Sequence, residues 1–318
     1  MKPKILITET IHECIIPLLE EAGYEVHYEP KIDRSGILNK LANYTGVIVR
    51  SKTPQDKEFL DAGANLKFLA RSGAGMDQVD VEYAKSKNLT LLNAPEGNRD
   101  AVAEHSLGLL LNLINKIRKS DIEVRQKIWD REGNRGVELM HKTVGIIGYG
   151  NMGEAVSKRL SGFGCKVMAY DKYKTGFGNE FATEVSLEEL KEQANIVSFH
   201  VPLTPETRHY VNDDFIESFK NNFILLNTAR GEILPLKTIV KYLKSGKIIA
   251  AGLDVLENEK MAKWTEEQEI NMESLFCMEN VLFTPHVGGW TIESYIKISE
   301  TLAEKIKALN LVADLDGN

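Results

Sequence analysis

The sequence predicts an α/β protein with two doubly wound parallel sheets, and three observations carry that prediction. Short apolar runs alternate with segments of helical period, the alternation forms two separate series, and a glycine-rich turn opens the second. The first series of strand-like runs covers residues 5–7, 26–28, 46–49, 68–70 and 90–92. Continuous apolar runs of this kind suit a parallel sheet, whose strands are covered by helices on both faces. Residues 101–119 follow, with Leu107, Leu109, Leu110, Leu111, Leu113 and Ile114, and predict one long buried helix between the two sheets. The polar stretch 127–142, rich in Arg, Gly and Glu, reads as an exposed connection. The second series starts at Thr143 and continues through 167–170, 196–199, 223–226, 248–253 and 281–283. Residues 292–309 have a helical period, and 313–318 read as a frayed acidic tail.

Composition narrows the function. At 318 residues the chain can build two full-sized cores. Its net charge of −7 is of mixed sign with no long Lys/Arg block, which argues against nucleic acid or an anionic membrane as a partner. No apolar stretch approaches the ~20 residues needed to span a bilayer. The first residues reach Glu9 after a few apolar positions, so they predict a strand and no secretion signal. Cys14, Cys165 and Cys277 are odd in number and lack metal-ligand spacing, so no metal site is expected and a reduced cytoplasm is the simplest location.

The turn Gly148-Tyr149-Gly150-Asn151-Met152-Gly153 follows an apolar strand and precedes a helix, which fits a G-x-G-x-x-G dinucleotide turn. The first glycine allows the turn, the second admits a pyrophosphate, and the third lets helix and strand pack closely. Asp171 ends the next strand about 20 residues on, where an acid can accept from an adenosine ribose. It favours NAD over NADP, with Lys172 and Lys174 as countervailing cations.

Ligands in open parallel sheets gather beyond the carboxyl ends of strands. The strand 223–226 leads to Arg230, which can hold a carboxylate in a bidentate pair. The strand 248–253 leads to Asp254, Glu257 and Glu259, one of which can orient a histidine. Beyond 281–283 comes His286, set between Pro285 and Gly288-Gly289. Hydride transfer to a carbonyl needs a proton carrier as well, and imidazole is the usual one near neutral pH.

These residues, with Val49-Arg50-Ser51, Arg71 to Asp77, Asn93-Ala94-Pro95, Val102 to His105, His200 to Thr207, Asn227 to Gly231 and Gly252 to Val255, resemble the D-isomer-specific 2-hydroxyacid dehydrogenases over nearly the full chain. The resemblance implies a Rossmann NAD-binding domain at 99–288 inserted into a flavodoxin-like substrate domain at 1–98, to which a C-terminal helix, 289–318, returns. It implies reaction in a cleft between the domains. It assigns Arg230, Glu259 and His286 to catalysis. Gly148, Gly150, Asn151, Met152, Gly153, Asp171, His200, Val201, Pro202, Thr207, Thr228, Ala229, Arg230, Asp254, His286, Gly288 and Ala74 are assigned to NAD. Arg50, Ser51, Gly73, Ala74, Gly75 and Arg230 are assigned to the substrate. A homodimer through the NAD-binding domains, involving the long helix, is also implied.

Two departures bear on this reading. Lys260 follows Glu259 where the family commonly has proline, and the segment from Glu259 to His286 is long, so Glu257 remains the rival partner for His286. Glu259 is preferred because it stands five residues after Asp254. Trp290 replaces a small residue and either narrows the substrate pocket or packs at a helix start. His105 and His200 read as positioning residues, and His12, His27, His141 and His209 as surface or packing residues. The substrate stays open between 3-phosphoglycerate, to which Arg50, Lys52 and Arg71 offer cations, and glyoxylate or hydroxypyruvate. The chain ends after the returning helix, so no C-terminal regulatory domain is expected. The rival of another class is an NAD-sensing protein that acts by binding partners, as corepressors of this family do.

Overall fold

The computed structural model describes residues 2–312, and within it the chain forms two compact units. One contains the residues up to Asn98 and those from Trp290 onward; the other is Arg99–Gly289. The tail at 313–318 lies outside the described residues.

The first unit holds β1 (Lys4–Ile7), β2 (Glu25–Tyr28), β3 (Gly46–Val49), β4 (Phe68–Arg71) and β5 (Thr90–Asn93). All are parallel, in the flavodoxin-like order β2-β1-β3-β4-β5. Alternation along the strands assigns each side chain to a face. Ile5, Ile7, Ile48 and Phe68 enter one cluster, and Leu6, Val47, Val49 and Leu69 enter the other. Ile298, Leu302 and Ile306 recur every fourth residue on the helix Ile292–Lys307 and fill the first cluster. Each such side chain, fully buried, contributes about 1.5–3 kcal/mol. The helix begins at Thr291, whose hydroxyl accepts from Ser294 N at 3.0 Å.

The second unit holds β6 (Thr143–Ile147), β7 (Lys166–Tyr170), β8 (Thr183–Glu184), β9 (Ile196–Phe199), β10 (Phe223–Asn227), β11 (Ile248–Leu253) and β12 (Val281–Phe283). They are parallel in the order β12-β11-β10-β9-β6-β7-β8, a doubly wound Rossmann sheet whose order reverses between β6 and β9. The two-residue β8 gave no sequence signal because Thr183 and Glu184 form a short, partly exposed edge.

The helix expected at 101–119 is instead two helices. The first, Pro95–Ile114, starts earlier, with proline in its first turn where the missing N–H costs little. The chain then breaks at Lys116, whose φ of 53° is left-handed, and resumes as Ile117–Arg125. Asn112 Oδ1 accepts from Arg118 N at 3.1 Å and holds the start of the second helix. Leu139 plugs into the core from the otherwise mostly exposed stretch 127–142. Among the described residues no helix is long and apolar enough to cross a membrane.

Candidate active site

The glycine turn grows directly out of β6, which is buried from Val144 onward. Gly148 has φ +94°, and a Cβ there would stand 2.7 Å from the carbonyl oxygen of His200. A Cβ on Gly153 would lie 2.1 Å from the carbonyl oxygen of Gly148, so helix and strand meet with no side chain between them. Gly150 is different. It is the N-cap of the helix Asn151–Leu160, makes no side-chain cap, and has open space where a Cβ would be. The amides at this helix start, Asn151 and Met152 among them, therefore face an uncapped N-terminus with the positive end of the dipole. This arrangement fits a pyrophosphate.

Asp171 follows β7. Its Oδ2 accepts from Tyr149 N at 2.8 Å and its Oδ1 from Tyr173 N at 2.9 Å, so turn and loop orient the carboxylate and leave lone pairs for a ribose hydroxyl. Lys174 Nζ donates to Tyr149 O at 2.9 Å, and Lys172 pairs with Glu206. After β9, Thr207 Oγ1 donates to Pro202 O at 2.6 Å and accepts from Thr204 N at 2.8 Å, closing the turn that contains Val201 and Pro202. His200 Nε2 lies 2.8 Å from Ser198 Oγ, and burial pushes this imidazole down to about 4, so it stays neutral at pH 7.

At the end of β10 the chain winds around buried Asn227. Its Nδ2 donates to Arg230 O at 3.0 Å, its Oδ1 accepts from Ala229 N at 3.1 Å, and Arg230 Nη1 donates to Ala229 O at 2.7 Å. Thr228 Oγ1 lies 3.1 Å from Ser106 Oγ on the helix Pro95–Ile114.

Asp254, buried at the end of β11, is the organiser of the next loop. Its Oδ1 accepts from Thr284 Oγ1 at 2.6 Å and Val287 N at 3.0 Å, and its Oδ2 accepts from Gly288 N at 2.8 Å. His105 Nε2 lies 2.8 Å from Thr284 Oγ1 and 3.4 Å from Asp254 Oδ1. Burial alone would raise this carboxyl, but the hydrogen bonds from His105, Thr284, Gly288 and Val287 outweigh it and hold the pKa below its ordinary value. The same loop sets His286 at φ +54°, with its N–H on Asp254 O at 2.8 Å. His286 Nδ1 then lies 2.8 Å from Glu259 Oε1.

Glu257 points elsewhere. Its Oε1 is 3.3 Å from His209 Nε2, and its Oε2 accepts from Leu236 N at 3.0 Å, at the start of the helix Leu236–Ser245. The residue that fixes Glu259 escaped sequence reasoning. Asn258 accepts from Trp264 Nε1 at 2.8 Å through its carbonyl and donates from Nδ2 to Gln268 Oε1 at 3.1 Å. The long segment after Glu259 thus anchors the loop: Thr265 caps the helix Glu266–Phe276, and Trp264 packs on the core. Thr265 with Gln268, a capping box, was the available signal.

Because β10, β11 and β12 are consecutive in the sheet, Arg230, Asp254 to Glu259 and His286 leave one edge across strands about 4.8 Å apart. The chemistry available there is a guanidinium for an anion and a carboxylate-held imidazole for a proton.

The residues expected on the substrate side, Arg50, Ser51, Gly73, Ala74 and Gly75, lie in the first unit. Arg50 follows β3, its guanidinium 4.2 Å from the centroid of the Trp290 ring, which also meets Tyr295 edge-on at 5.1 Å. Trp290 is therefore a platform for Arg50 beside a helix start. Ser51 N and Lys52 N donate to Glu9 Oε2, each at 2.8 Å. Gly73 has φ +140°, Asn93 Nδ2 donates to Ala74 O at 2.6 Å, and Arg71 Nε donates to Arg50 O at 3.2 Å. Gly75 lies in the same loop.

Residues 107–288 match the family profile described as "D-isomer specific 2-hydroxyacid dehydrogenase, NAD binding domain". The chain is 36% identical over 291 residues to the hydroxypyruvate reductase of Thermotoga maritima, covering 91% of this chain and 92% of that one. The chain belongs to the D-isomer-specific 2-hydroxyacid dehydrogenase family. This family member is also 35% identical over 309 residues to the D-3-phosphoglycerate dehydrogenase of Methanocaldococcus jannaschii, across 96% of its own length but only 57% of that relative's. The D-lactate dehydrogenase of Aquifex aeolicus, solved with NAD and lactic acid, superposes with a TM-score of 0.82 at 26% identity, over 98% of this chain and 96% of that one. In this dehydrogenase-family chain the glycine turn, Asp171 and the His200–Thr207 turn all fall within the matched NAD-binding domain.

Proposed function

We propose that the protein interconverts a D-2-hydroxy acid and its 2-oxo acid with NAD. The observation that carries this reading is the His286–Glu259 pair, at 2.8 Å, on the sheet edge that also presents Arg230. With Glu259 ionised, His286 Nδ1 is the donor to it, and Nε2 is left for the substrate oxygen. When bound, the nicotinamide supplies a hydride to, or takes one from, the substrate's C2. His286 Nε2 gives a proton to the carbonyl oxygen during reduction and takes it back during oxidation. Arg230 holds the carboxylate and polarises the carbonyl by its fixed charge. The amides of Gly73, Ala74 and Gly75, with Arg50 and Ser51, are assigned to the substrate's carboxylate end. Asp254 serves by fixing the loop that carries His286.

A binding-only role is the poorer fit, because a paired acid and base is of no use to a sensor. Oxidation of NADH with glyoxylate, hydroxypyruvate, pyruvate, branched 2-oxo acids and 3-phosphohydroxypyruvate tests the proposal. Turnover of at least one is expected. NADH binding with no turnover on any would sink it.

The protein is further proposed to form a homodimer through its NAD-binding unit. Exposed apolar side chains gather there, among them Ile117, Val124, Ile128, Val137 and Trp129, the last 80% exposed. Beside them a cavity of about 550 Å³, lined by Leu113, Leu139, Ile249 and Leu282, opens towards the amino ends of β9 to β12, whereas His286 follows the carboxyl end of β12. Sedimentation should give twice the chain mass, and Trp129→Glu should give the monomer; a monomeric wild type would refute the dimer. Three free cysteines suit a reducing cytoplasm.

A further inference from the structure

The loops after β7 and β9 are tied together by one carboxylate. Glu206 pairs with Lys172 Nζ through Oε1 and accepts from the Tyr173 hydroxyl through Oε2. In the sheet order β9-β6-β7 these loops follow the two strands that flank β6, the strand that leads into the Gly148 to Gly153 turn, so the tie joins strands two spacings apart, about 10 Å of sheet. Lys172 immediately follows Asp171, the residue that faces the adenosine ribose in the NAD reading. The other nearby cation, Lys174, is engaged by Tyr149 O at 2.9 Å. Asp171 and Glu206 together balance Lys172 and Lys174, so the rim of the ribose position carries no net charge from these four groups.

We propose that Glu206 sets the choice between NAD and NADP by holding Lys172 Nζ away from the ribose 2′ position. A 2′-phosphate carries about −1.5 to −2 charges near pH 7 and needs a cation with free donors. Lys172 is the cation nearest in sequence to the ribose acid, and its ammonium is committed to Glu206. Glu206 therefore acts against the phosphate twice, by its own charge and by occupying the lysine. Replacing it with glutamine frees Lys172 and leaves one net positive charge at the rim. The inference rests on the NAD reading of the site and adds a residue outside the glycine turn and Asp171 to cofactor selection.

The test is direct binding of NADH and NADPH, followed by quenching of tryptophan fluorescence and by calorimetry, with no substrate present. Wild type should bind NADH at least about tenfold more tightly than NADPH. Glu206→Gln should tighten NADPH about tenfold and move NADH by less than about threefold. Glu206→Gln combined with Lys172→Met should lose that gain. A wild type that binds neither dinucleotide overturns the cofactor reading and this proposal with it. Normal NADH binding with an unchanged ratio in Glu206→Gln overturns the proposal alone, as does a gain that survives Lys172→Met. Both substituted residues, Glu206 and Lys172, are exposed, and circular dichroism of each variant confirms that the fold is kept.

Discussion

His286 Nδ1 stands 2.8 Å from Glu259 Oε1, whereas Glu257, two residues earlier, turns to His209 and to the amide of Leu236. Glu259→Gln should lower kcat by about two orders of magnitude, in the range of a lost acid–base partner, with little change in NADH affinity. Glu257→Gln should leave kcat within about threefold and lower the melting temperature, since it removes a charged acceptor from a helix start. Steady-state kinetics beside thermal melts decide the matter; equal losses of kcat would contradict the division of labour.

Gly153 and Gly150 should respond differently to alanine. At Gly153 a Cβ would meet the Gly148 carbonyl at 2.1 Å, so Gly153→Ala should destabilise the protein by about 1–3 kcal/mol as an overpacked site. At Gly150 nothing lies within 4 Å, so Gly150→Ala should fold normally and bind NADH at least about tenfold more weakly, because the methyl group enters the pyrophosphate position. Urea unfolding and NADH titration separate the two. Unweakened binding in Gly150→Ala would count against the cradle.

Thr284 bridges His105 and Asp254, its hydroxyl accepting from His105 Nε2 at 2.8 Å and donating to Asp254 Oδ1 at 2.6 Å. Thr284→Val keeps the shape and removes both bonds, leaving a buried carboxylate oxygen with one donor fewer. A loss of about 1–3 kcal/mol is expected, together with a lower kcat as the His286 loop loosens. Stability and kcat both at wild-type values would show that the bridge is idle.

His200 gives the protein a specific acid sensitivity. Its folded pKa, about 4, lies below the unfolded value of about 6.5, so between these limits the unfolded chain binds a proton that the native ring refuses. Stability from this group is complete above pH 6.5 and is lost as pH falls towards 4, by at most about 3 kcal/mol. Urea midpoints measured from pH 7.5 to 4.5 should fall less steeply for His200→Asn than for wild type. Parallel slopes would rule the histidine out as the source.

The strands and the dinucleotide turn were legible because period and glycine spacing are local properties. Val47 and Ile48 read as strand before any contact is known, and Gly148, Gly150 and Gly153 announce their backbone. Arg230, Glu259 and His286 could be read as strand-end residues for the same reason. What lay beyond reach was orientation. One residue, Asn258, separates Glu257 from Glu259, and contacts distant in sequence, Trp264 and Gln268 on Asn258 and Leu236 and His209 on Glu257, accompany the choice of which one meets His286. The break at Lys116 was hidden because apolar periodicity continues on both sides of it. The tie from Glu206 to Lys172 joins loops distant in sequence, and no local pattern encodes it.

The left-handed backbone of His286 limits what this position can become. At φ +54° branched side chains are heavily penalised, while histidine, asparagine and glycine are tolerated. The proposed chemistry asks for a side chain that can give and take a proton, and the turn asks for a residue at ease with positive φ; histidine satisfies both demands. Asparagine at 286 is therefore the cleaner experimental blank, since it keeps the turn and removes the proton, while valine would confound a chemical defect with a misshapen loop.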